Sequence, residues 1–104
     1  MANRHRGEIE AELGGEKRTL ALTLGALAEL ESAFGAEELV ALAERFEKGR
    51  MGAKDAIRVI GAGLRGAGSE ITDDEVARLA ATGGAAGYVR IVSDLLAATF
   101  GEAA

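Results

Sequence analysis

The sequence predicts an α+β fold, in which an N-terminal β-hairpin precedes about five short α-helices. Polar and apolar residues alternate over residues 7–22, and from Leu24 onward the apolar residues recur every three or four positions. The chain has 15 glycines and no proline, so glycine alone marks the ends of the elements. We expect one domain over residues 1–104, with a disordered tail at 1–6 and a helical part at 24–100.

The N-terminal segment has the pattern of a tight hairpin. Gly14-Gly15 forms its turn, because two glycines tolerate the positive φ angles of a two-residue loop. This turn predicts a register that pairs Ile9 with Leu20 and Glu12 with Lys17. One face is then apolar and comprises Ile9, Ala11, Leu13, Leu20 and Leu22. The other comprises Glu8, Glu10, Glu12, Lys17 and Thr19. Because an isolated hairpin is marginal in water, it either lies on the helices or pairs with a strand of another chain.

The middle of the chain predicts three helices, each of which ends at a glycine. The first runs from Leu24 to Gly35. The second covers residues 36–48 and has an apolar stripe of Leu39, Leu42, Ala43 and Phe46. The third covers residues 53–65 and has an apolar face of Ala53, Ile57, Ile60 and Leu64.

Two further helices are predicted near the C-terminus. Thr72 and Glu75 have the spacing of a capping box, so a short helix begins there and continues toward Gly83-Gly84. Its inward residues are Val76, Leu79 and Ala80. The last helix, residues 85–100, is apolar around most of its circumference, and in a chain of this length we expect it at the centre of the core. If it instead presents a second face to a partner, the candidate contacts are Tyr88, Ile91, Leu95 and Phe100.

The composition argues against most chemistry. There is no cysteine and the only histidine is His5, which excludes thiolate nucleophiles, disulfides and the usual zinc sites. A net charge of −5 argues against nucleic acid as the main partner. No apolar run is long enough to span a membrane, and the N-terminus lacks a signal-peptide pattern, so we expect a cytoplasmic protein. The sequence predicts no catalytic residue, no cofactor and no metal.

One motif suggests an alternative function. Gly61, Gly63 and Gly66 fit the pattern G-x-G-x-x-G, which in dinucleotide-binding proteins follows a strand and opens a helix. Here the preceding residues have helical spacing, and the chain is too short for a doubly wound sheet. We therefore expect these glycines to allow close packing of a neighbouring element. A nucleotide-binding protein remains an alternative that a thermal-shift assay with nucleotides would test.

The order of these segments resembles a known family. A charged hairpin, then LTLGALAELESAFG, ELVALAERF, IRVIGAGLRGAG and IVSDLLAATF, is similar to the small tail component encoded in gene transfer agents, which are phage-derived particles. The likeness covers residues 7–100, and its most specific parts are LTLGALAELE and IGAGLRGAG. It implies a role in building a siphophage-like tail.

The family has been described both as a tail tube protein and as a tail assembly chaperone. Tube subunits are generally β-rich, whereas this sequence predicts one hairpin and about five helices, which favours the chaperone. In that role a small acidic protein coats the apolar tape-measure protein until tube subunits replace it, and its charge keeps the complex soluble. The alternative is a structural tube or ring subunit that stays in the particle. Expected partners are the tape-measure protein and tube subunits, with self-association left open, and neither nucleic acid nor membrane.

Overall fold

The computed structural model describes residues 7–35, 37–38, 41, 44–45 and 52–100 and has the predicted α+β architecture. Its elements are β1 (Glu8–Leu13), β2 (Glu16–Ala21), α1 (Leu24–Phe34), α2 (Ala53–Gly66), α3 (Asp73–Val76) and α4 (Ala85–Phe100). Residues 37–38, 41 and 44–45 are helical. The rest of the predicted helix at 36–48, with Leu39, Leu42, Ala43 and Phe46, lies outside the described residues, as does the tail at 1–6.

The hairpin has the predicted register. Ile9 lies opposite Leu20 and Glu12 lies opposite Lys17 in the antiparallel pair. Gly14-Gly15 has positive φ angles at both positions, as a tight hairpin turn requires. The apolar face is buried against α2 and α4, with Leu13 and Leu20 fully enclosed. The hairpin therefore lies on the helices of its own chain, which removes its apolar face from water.

The centre of the described core is α2, and the expectation that the C-terminal helix would take this place is wrong. All six residues from Val59 to Leu64 are buried, and α2 packs on β2, α1, α3 and α4. Two of its glycines make these approaches possible. A Cβ at Gly63 would lie 2.7 Å from the Leu95 side chain, and one at Gly66 would overlap the backbone of β2.

The helix that begins at the capping box is shorter than predicted. Thr72 and Glu75 form both hydrogen bonds of the box, as expected. The helix ends at Val76, however, and Ala80 is exposed. The following backbone pairs with the hairpin instead: Gly14 N–H donates to the carbonyl of Ala80 at 2.9 Å, and residue 81 forms a bridge with residue 13. These non-local hydrogen bonds replace the helical ones and fix α3 beside the hairpin turn.

Arg65 links three helices at the edge of the core. Its guanidinium donates to both carboxylate oxygens of Glu29 on α1 and to the carbonyl of Ile71 at 3.0 Å. It also pairs with Asp73, the first residue of α3, at 2.9 Å. The hydrogen bond to Glu29 is the main cause of a raised pKa for Arg65, and Asp73 adds to it while partial burial opposes it. This cluster holds α1 and α3 in fixed positions against α2.

Candidate docking groove

An apolar groove opens between α2, α3 and α4. Its cavity volume is about 300 Å³. We use "the groove" for the depression lined by Gly52, Ala53, Ala56, Ile57, Ile60, Val76, Ala77, Ala85, Tyr88 and Val89. None of these side chains carries a charge, and the tyrosine hydroxyl is the one polar side-chain group among them. The groove is thus suited to apolar side chains.

Helical spacing explains how the groove forms. The α2 wall consists of Ala53, Ala56, Ile57 and Ile60, which follow one another at intervals of three, one and three and so share one face. The α4 wall consists of Ala85, Tyr88 and Val89, which follow at intervals of three and one in the first turn of that helix. Five of the ten lining residues are glycine or alanine, so two helices that are in contact still leave space above them. The face predicted for this helix shares Ala53, Ile57 and Ile60 with the wall, whereas its fourth residue, Leu64, is in the core. The groove itself was not predicted, because an apolar face does not show which helix will lie opposite it.

Tyr88 fixes one wall of the groove. Its hydroxyl donates a hydrogen bond to the carbonyl of Leu79, in the segment between α3 and α4. The ring is half-buried and lines the groove. The bond satisfies the hydroxyl within the chain, so Tyr88 presents its apolar ring to the groove.

The four candidate contacts on the C-terminal helix have different surroundings. Ile91 and Leu95 belong to the core and are 7% and 0% exposed. Tyr88 is a wall of the groove, and Phe100 is 58% exposed at the end of α4. An interface that includes all four stays a prediction, and Tyr88 and Phe100 are the two that retain accessible surface.

The three glycines of the G-x-G-x-x-G pattern lie within α2 and do not form a loop. Gly61 and Gly63 are buried, and Gly61 lies beneath the carboxylate of Asp73. Backbone N–H groups inside a helix donate to the preceding turn, so they are not available to a phosphate. Gly63 and Gly66 are packing positions instead, as the sequence predicted.

Metal-binding clusters and membrane-spanning helices are both absent from the part of the chain that the structure describes. Those residues contain no group of three His, Cys, Asp or Glu side chains that could hold a metal ion. None of their helices is long and apolar enough to cross a membrane.

The described residues form a small α+β fold with an apolar groove between its helices. Residues 6–102 match the model of a protein family described as "Phage tail tube protein, GTA-gp10". The chain therefore belongs to this phage tail family of gene transfer agents. No curated protein and no solved structure matches it significantly.

Proposed function

We propose that the protein is a tail assembly chaperone, which binds the tape-measure protein through the groove and has no enzymatic activity. The observation that carries the proposal is an uncharged groove, about 300 Å³ in volume, between helices of an acidic protein. A tape-measure protein is long and apolar, so it needs its exposed side chains covered until the tube encloses it. A net charge of −5 on each bound copy would keep such an assembly in solution.

The secondary structure also favours an assembly chaperone over a structural subunit that stays in the particle. A tube wall built from β-sheet needs strands that extend from one subunit to the next. In the described part of the chain the strands form a single hairpin of six-residue strands, which is little sheet from which to build a tube wall. The apolar groove, by contrast, is lined mainly by residues of α2 and α4.

Co-expression tests the proposal. The protein would be produced together with the tape-measure protein of the same gene cluster, and the mixture analysed by size-exclusion chromatography with light scattering. We expect a soluble complex that contains several copies of this protein per tape-measure chain. Val89→Asp, which places a charge at the exposed side of the groove, should release most of these copies. Ala28→Asp, at an exposed position of α1 outside the groove, is the matched control and should leave the complex unchanged.

A structural tail subunit is the second candidate, and the description of the family favours it directly. In that case the protein would form rings or tubes by itself and remain in the finished particle. Rings seen by light scattering and electron microscopy in the absence of the tape-measure protein would support this candidate and contradict the chaperone.

A further inference from the structure

We draw no further inference here: the strongest candidate, the apolar groove between α2, α3 and α4 with the exposed Phe100 further along α4, is an unpartnered apolar surface, and nothing in the described part of the chain shows what covers it.

Discussion

The α-carbon of Gly66, at the end of α2, lies against the backbone carbonyl of Ala21, at the end of β2. A Cβ at Gly66 would overlap that carbonyl oxygen and would also lie 3.2 Å from the Cβ of Ala26. Backbone cannot move aside as the tip of a flexible side chain can. The contact therefore fixes the distance between the helix at the centre of the described core and the hairpin.

Gly66→Ala should destabilise the protein by about 2–4 kcal/mol, because the added methyl group separates α2 from β2. Chemical denaturation monitored by circular dichroism measures the change. Gly25→Ala is the matched control, since a Cβ at this helical position meets nothing closer than 3.9 Å. The control should be neutral or stabilise by up to about 1 kcal/mol. Equal effects of the two substitutions would contradict the packing described for Gly66.

Arg65→Met should lower the free energy of unfolding by about 1–3 kcal/mol. The substitution keeps most of the aliphatic stem but removes the hydrogen bonds to Glu29 and to the carbonyl of Ile71, together with the ion pair to Asp73. Arg90→Met, at an exposed position of α4, is the control and should change stability by less than about 0.5 kcal/mol. A loss no larger than that of the control would show that the cluster does not hold the helices together.

The effect of Arg65→Met should be independent of pH between about pH 7 and about pH 10. The pKa of Arg65 is raised above its already high ordinary value, chiefly by the hydrogen bond to Glu29, so its stabilisation is fully present across this range and is lost only at a strongly alkaline pH. Thermal melts of both proteins across this range measure the difference. A difference that shrinks well below pH 12 would contradict the assignment of a permanently charged guanidinium.

Tyr88→Phe should separate the two roles of this side chain. Loss of the hydroxyl removes the hydrogen bond to the carbonyl of Leu79 and should cost about 0.5–1.5 kcal/mol in unfolding free energy. The ring that lines the groove is retained, so the number of copies bound to the co-expressed tape-measure protein should stay the same. Loss of the bound copies with unchanged stability would mean that the hydroxyl contacts the partner and not Leu79.

Thr72→Ala should cost about 1 kcal/mol, because it removes the hydroxyl that accepts from the N–H of Glu75 in the capping box. Thr72→Ser retains the hydroxyl and should lose less than half as much. Urea denaturation of the two variants makes the comparison. If both lose the same amount, the capping hydrogen bond is not the source of the stability.

Features encoded by neighbouring residues could be predicted from the sequence. The hairpin register follows from Gly14-Gly15 and the alternation around it, and the capping box at Thr72 follows from a four-residue pattern. The extension of that helix could not be predicted correctly. Residues 77–80 fit a helical pattern, but the N–H of Gly14, more than 60 residues away in the chain, binds the carbonyl of Ala80 instead.

The candidate site was predictable only in part, because it too depends on contacts between residues far apart in the chain. Periodicity identified the apolar faces of α2 and α4, but the groove exists because Ala53 and Ala56 face Ala85 and Tyr88 across a helix pair. A single sequence does not specify that pairing. In the sequence, Ile91, Leu95 and Phe100 are equal candidates for contact with a partner, since all three belong to an apolar helix. Only the fold separates the buried residues from the exposed one.

The most direct test of the chaperone role is the number of copies of this protein in purified particles and in the cells that assemble them. Quantitative mass spectrometry would compare it with the tape-measure protein in both samples. The chaperone role predicts several copies per tape-measure chain bound in the cell and essentially none in the particle. A fixed number of copies retained in every finished particle would contradict that role and identify the protein as a structural tail subunit.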